Sequence, residues 1–236
     1  MLILQKRAAL ISAIIVLLVA SAASLLRVPN NIAVSAPERI TQPTKRIFVL
    51  DAGHGGADGG AVSIDGVFES QINLAITRRL NDFLMLLGQN TALTRATASS
   101  LADDLSASLR QQKVSDTRNR VTFVNGIDRA VLVSIHQNTL AGHTAVHGAQ
   151  VFYSPTEGSD SLAENVQQSL NLTVNRDNAK NKKPIHDDVY LMNHVTCPAI
   201  LIECGFLSNK EESQQLQEDS YQLLLATVIG CAVVQP

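Results

Sequence analysis

Short apolar runs with strand character alternate along this chain with segments of helical period, and that alternation restricts the fold to a sheet covered by helices. Arg46 to Asp51 reads as a strand. Glu69 to Gly88 carries Ile72, Ile76, Leu80, Phe83, Leu84 and Leu87 at helical spacing and closes on Gly88, a suitable C-cap residue. Thr91 to Thr94 is the next short strand, and Gln111 to Asn125 the next helix, with Val114, Val121 and Val124 as inward positions. The Val-Leu-Val-Ser-Ile run within Ala130 to His136 is the expected central, fully buried strand. Ala149 to Tyr153 alternates like another strand, and a helix follows from about residue 158 to 172. A strand at Val189 to Met192, the strand Ala199 to Glu203 and a terminal helix from about Ser220 complete the series. The expected fold class is α/β: a single domain with a mixed, mostly parallel sheet flanked by helices on both faces. With 236 residues, 45% of them hydrophobic, one core of ordinary size is affordable and two large ones are not.

Residues 1–27 belong to a different solvent. After Lys6 and Arg7 comes an uncharged apolar stretch from Ala8 to Leu26, about the length that spans a bilayer as a helix. The preceding positive charges predict a cytoplasmic N-terminus and an exported remainder. Small residues around Ala20-Ser21-Ala22 leave two readings open, an uncleaved membrane anchor or a removed signal peptide. Residues 28–44 hold three prolines among polar residues without apolar period, which reads as a linker, so the folded domain is expected to occupy 45–236. It should act on the extracytoplasmic side of the membrane.

A formal net charge of -2 argues against nucleic acid as a partner, and 4% aromatic residues without Trp supply few stacking platforms. Cys197, Cys204 and Cys231 lack CxxC spacing and read as small buried thiols, with a Cys197–Cys204 bridge open in an exported protein.

The stretch Leu50 to Gly60, LDAGHGGADGG, sets a histidine in a glycine loop directly behind a strand. A phosphate cradle is excluded by spacing: a dinucleotide fingerprint needs glycine where Asp58 stands, and a P-loop needs Gly-Lys where Gly60-Ala61 stands. What gathers at the strand ends is different chemistry. Strand one leads through Asp51 to His54, the central strand ends in His136, the late strand ends in Glu203, and Glu69 opens the long helix. In open α/β sheets, ligand sites collect outside the carboxyl ends of the strands. Two imidazoles and two carboxylates suit a catalytic zinc with three protein ligands, leaving one glutamate free as a base. Each residue also has a plainer role: a hydrogen-bonded loop histidine, a first-turn carboxylate at Glu69, half of an ion pair at Glu203. Glu203 stands out because it ends the apolar run from Ala199 and needs a partner there. There is no HExxH, which excludes the zinc-protease helix.

Six ordered blocks, DAGHGGADGGAV, FES around Glu69, LTR at Leu93 to Arg95, RVTFVN, VSIHQN and PAILIECGFLSN, resemble the zinc-dependent N-acetylmuramoyl-L-alanine amidases of bacterial cell walls. The likeness runs over nearly all of residues 45–236, making that segment a catalytic domain, and is greatest to the spore-cortex amidases on the muramic δ-lactam route. Ala52 stands where many relatives have proline, a difference in turn stiffness. The resemblance implies Zn2+ held by His54, Glu69 and His136, with Glu203 as the catalytic base. It further implies peptidoglycan as substrate, cut at the amide between N-acetylmuramic acid and L-alanine. Whether an activating protein partner or only the N-terminal membrane segment brings enzyme to substrate stays open. Asp51 is a candidate acceptor behind a ligand histidine, and Asn138 serves substrate or turn. Arg95 and Arg120 read as structural ion-pair formers, and His143, His147, His186 and His194 as loop or surface residues. Two other functions compete: a membrane-tethered peptidoglycan-binding protein without turnover, and a zinc hydrolase of another amide.

Overall fold

The computed structural model describes residues 45–235; the apolar segment 1–27 and the linker 28–44 lie outside them. Among the described residues no helix is long and apolar enough to cross a membrane. In chain order the elements are β1 (Ile47–Ala52), α1 (Glu69–Leu86), β2 (Asn90–Leu93), α2 (Leu109–Asn125), β3 (Ala130–Asn138) and β4 (Gln150–Tyr153). There follow α3 (Ser159–Thr173), β5 (Lys183–Pro184), α4 (Tyr190–His194), β6 (Ala199–Phe206), α5 (Lys210–Gln215) and α6 (Asp219–Val233).

The six strands form one mixed sheet in the order β2-β1-β3-β6-β4-β5. β1, β2, β3 and β6 run parallel; β4 pairs antiparallel with β6 and parallel with β5. This is the expected α/β fold with helices on both faces. The period-2 alternation of the strands sends Phe48, Leu50, Val133, Ile135, Ile200 and Ile202 to one face. There they pack against Ile72, Ile76, Leu80 and Leu84 of α1, Val166 and Leu170 of α3, and Leu225 and Ile229 of α6. The intervening residues Val49, Leu132, Ala199 and Leu201 face Val124 of α2 and Leu191 and Met192 of α4.

Local signals set the element ends. α1 stops because Gly88, just past its cap, takes a left-handed φ of 70°, and the N–H groups of Gly88 and Gln89 return to Met85 and Leu84. α2 starts on a capping box, Ser108 with Gln111.

Three expectations need correction. Val189 to Met192 is not a strand: Val189 caps the short helix α4, whose Leu191 and Met192 lie across the second sheet face. A four-residue apolar run has no period long enough to separate the two states. Val114 is exposed, because α2 meets the sheet chiefly through Arg120 and Val124. The cysteines are free thiols as read from the sequence, with no Cys197–Cys204 bridge, but only Cys204 is buried: Cys197 is half-buried and Cys231 exposed.

Candidate metal centre

β1 delivers the chain to the carboxyl edge of the sheet, where it turns through Gly53, His54, Gly55 and Gly56. His54 itself has a left-handed φ of 62°, uncommon for a residue with a Cβ and typical of functional sites. Two buried arginines hold the backbone there. Arg95 donates from Nε to the Ala52 carbonyl at 2.8 Å and from Nη2 to that of Gly53 at 3.0 Å. Arg120 donates to the carbonyls of Ala52 at 2.9 Å and His54 at 2.6 Å. Arg120 is fixed in turn by Asp51 and by Asp116, 2.7 Å away.

His136 arrives on β3, and its ring lies directly over Gly53. A Cβ at position 53 would stand 2.2 Å from the ring, so only glycine admits this approach. Gly60 is equally constrained: a Cβ there would come within 2.5 Å of the Glu69 carboxylate.

Glu69, the first residue of α1, is 3% exposed and stands between the two imidazoles. Its Oε2 lies 3.1 Å from His54 Nε2 and accepts from the Ala61 N–H at 3.0 Å. Its Oε1 lies 3.1 Å from His136 Nδ1 and accepts from Gln137 N–H and Asn73 Nδ2, each at 3.1 Å. One nitrogen or oxygen from each of His54, Glu69 and His136 falls within 4.8 Å of the others. Burial opposes ionisation of Glu69, yet hydrogen bonds and charges from His136 and His54 hold its carboxyl well below the usual range. Burial likewise works against His54⁺, but Asp58 and Glu69 outweigh it and raise that imidazole to about 9. The centre therefore favours positive charge.

Glu203 is the register partner of His136 on the neighbouring strand β6, and the pleat puts both on one face of the sheet. Its Oε2 is buried and has no hydrogen-bond partner among the described residues. Burial, aided by the charge of Glu69 and opposed by the histidines, pushes the carboxyl up to about 7. A two-histidine, one-carboxylate set beside an unpaired carboxylate fits a zinc ion with a water or substrate position left open. A cleft of about 250 Å³ opens over His54 and His136, walled by Lys113 and Thr117 of α2 and by Asp188 and Tyr190 at α4.

The expected site residues His54, Glu69 and His136 thus meet, with Glu203 beside them. Asp51 has different partners from those expected: its oxygens accept from Thr94 (2.7 Å), Ser134 (2.6 Å) and Arg120, and no imidazole is among them. Burial alone would raise its carboxyl; Arg120 and the two hydroxyls outweigh that and hold it at about 2. The physical reason is charge, since a buried guanidinium needs a buried carboxylate more than a neutral ring does. Asn138 lies past a register shift at the end of β3, half-buried, its carbonyl accepting from Leu207 N–H at 2.8 Å. Arg120 is the ion-pair former expected, whereas Arg95 acts mainly on backbone carbonyls. Sequence reasoning missed Asp58, 2.9 Å from His54 Nδ1; its position four residues past the histidine in the same tight loop was the available signal.

Sheet, three-donor group and adjacent carboxylate together have the make-up of a hydrolase centre. Residues 48–235 match the family model described as N-acetylmuramoyl-L-alanine amidase. The chain belongs to this family of peptidoglycan amidases, and its reaction is hydrolysis. A germination-specific N-acetylmuramoyl-L-alanine amidase of Bacillus subtilis (strain 168) is 33% identical over 184 residues, 78% of this chain and 76% of the relative. Among solved structures, the CwlD amidase from Clostridioides difficile, in complex with the GerS lipoprotein, superposes with a TM-score of 0.75 at 34% identity. That match covers 80% of this chain and 96% of the other. An N-acetylmuramoyl-L-alanine amidase from Clostridium difficile 630 follows with a TM-score of 0.69 at 27% identity, covering 80% and 95%.

Proposed function

We propose that this chain is a zinc-dependent amidase in which His54, Glu69 and His136 hold the metal and Glu203 moves the proton. The observation that carries the reading is the buried, unpartnered Oε2 of Glu203 on the strand next to His136. The substrate bond is the amide between the lactyl carbonyl of N-acetylmuramic acid and L-alanine. When bound, the ion supplies Lewis acidity toward that carbonyl and toward the attacking water. Glu203 accepts the proton of that water as its oxygen attacks the carbonyl carbon, and donates it to the L-alanine nitrogen as the C–N bond breaks. Burial raises the proton affinity of Glu203, which favours its accepting the proton, and the charge of a bound ion would act in the opposite direction and favour its release. Arg95 and Arg120 keep the loop carbonyls fixed while His54 and His136 hold their positions.

In this reading residues 45–236 are the catalytic domain, 28–44 a linker, and 1–27 a membrane anchor or signal peptide that places the reaction outside the cytoplasmic membrane. The germination-specific relative supports work on spore cortex, and the solved relative in complex with a lipoprotein supports a protein partner.

The test incubates the full chain, with zinc content determined, with purified peptidoglycan and counts new L-alanine amino termini. Release by the unsubstituted chain is expected, reduced about 100- to 10,000-fold in a zinc-loaded Glu203→Gln variant. Retained release in that variant removes Glu203 as the base; a zinc-loaded unsubstituted chain that releases peptide at another bond, without new L-alanine termini, overturns the amide assignment.

A further inference from the structure

The two histidines of the centre are held in place by different means. His136 is fixed by shape, its ring pressed onto the bare Cα of Gly53. His54 has a charge behind it: Asp58 Oδ2 lies 2.9 Å from its Nδ1. The other oxygen of Asp58 accepts from Lys113 Nζ at 2.9 Å and from the Gly60 N–H at 3.2 Å. We propose that Asp58, braced by Lys113 of α2, is a positioning residue that sets the tautomer and aim of the His54 ring and thereby the affinity of the centre for its metal.

The chemistry runs outward from the ring. An ionised carboxylate only accepts, so Asp58 keeps a hydrogen on Nδ1, and Nε2, 3.1 Å from Glu69 Oε2, is the nitrogen that would give up its hydrogen and offer a lone pair when a metal binds. Asp58 cannot drift, because its backbone exchanges hydrogen bonds with Gly55 in both directions, at 2.8 and 3.1 Å, closing the loop that carries His54. Lys113 reaches in from the first half of α2, and its side chain is 47% exposed, so it can be changed without opening the core. A carboxylate hydrogen-bonded to a metal-ligating imidazole raises its basicity and fixes its orientation, an arrangement whose loss commonly costs 10- to 100-fold in metal affinity.

This inference rests on the reading of His54 as a zinc ligand, and the experiment separates the two. The full chain and its variants are titrated with zinc against a competing chelator, and the absorption spectrum of the cobalt-substituted protein is recorded. Asp58→Ala should weaken zinc binding about 10- to 100-fold and alter the cobalt bands, which report ligand geometry. Lys113→Met should weaken it by a smaller factor, and Lys113→Arg should restore it. Combining Asp58→Ala with Lys113→Met should cost no more than Asp58→Ala alone, because the lysine acts through the carboxylate. Unchanged zinc affinity in Asp58→Ala, while His54→Ala loses the metal, overturns this proposal and leaves the ligand reading intact. Unchanged zinc affinity in His54→Ala overturns both. Fully additive losses in the double variant remove Lys113 from the device.

Discussion

The two faces of the sheet are built for different work. The face under α1, α3 and α6 is apolar over most of its length: Leu50, Val133, Ile135, Ile200 and Ile202 are closed over by three helices, and polar side chains enter only near the carboxyl edge, where Gln137 donates to Asn73 of α1. The face under α2 and α4 begins the same way with Val49, Leu132 and Leu201, then turns polar toward the carboxyl edge at Asp51, Ser134, His136 and Glu203. On the first face, burial supplies stability without reference to chemistry. On the second, Arg120 pairs with the buried Asp51 and also holds the His54 carbonyl, so one group serves both the stability of the sheet and the position of the proposed metal loop.

Three substitutions or conditions probe that difference, in order of expected size. Arg120→Met leaves Asp51 as an uncompensated buried charge and should cost about 3 to 5 kcal/mol in urea unfolding. It should also lower kcat/KM, by about 100-fold if the His54 loop moves by an ångström. A variant that lost stability alone would separate the two roles and break the comparison. Leu84→Ala, on the apolar face, should cost about 2 to 5 kcal/mol while the folded enzyme keeps its kcat/KM and the zinc affinity proposed for it. Loss of zinc there would show that the faces are coupled through α1 and Glu69. The smallest effect is acid sensitivity. Because Asp51 is held at about 2 against an ordinary 3.8, its contribution is complete above about pH 4 and disappears as pH falls through about 2. That amounts to about 2 kcal/mol, measurable as a shallower acid limb of unfolding in Asp51→Asn.

Most of the sheet was legible in the sequence because β1, β3 and β6 are buried on both faces and read as unbroken apolar runs. The helices α1 and α6 were legible from apolar positions, whereas α5 was not: KEESQQ has no apolar period, and what starts it is the Asn209 side chain accepting from Glu212 N–H. β5 has two residues and exists only through its pairing with β4. At the centre, His54, Glu69 and His136 were visible as unusual residues at element ends. The partner of Asp51 was not legible, because Arg120 lies 69 residues away, a distance that only the folded chain closes. Asp58 was noticed solely as the residue that spoils a nucleotide-binding pattern, and its contact with the ring depends on the left-handed turn between them.

That turn carries an engineering consequence. With φ at 62°, position 54 has a backbone that glycine or asparagine would occupy with less strain than histidine does. A search for sequences that improve this fold by stability alone would therefore strike at the histidine assigned above to the metal. Relieving the backbone there would remove the imidazole, so at position 54 stability and metal binding ask for different residues.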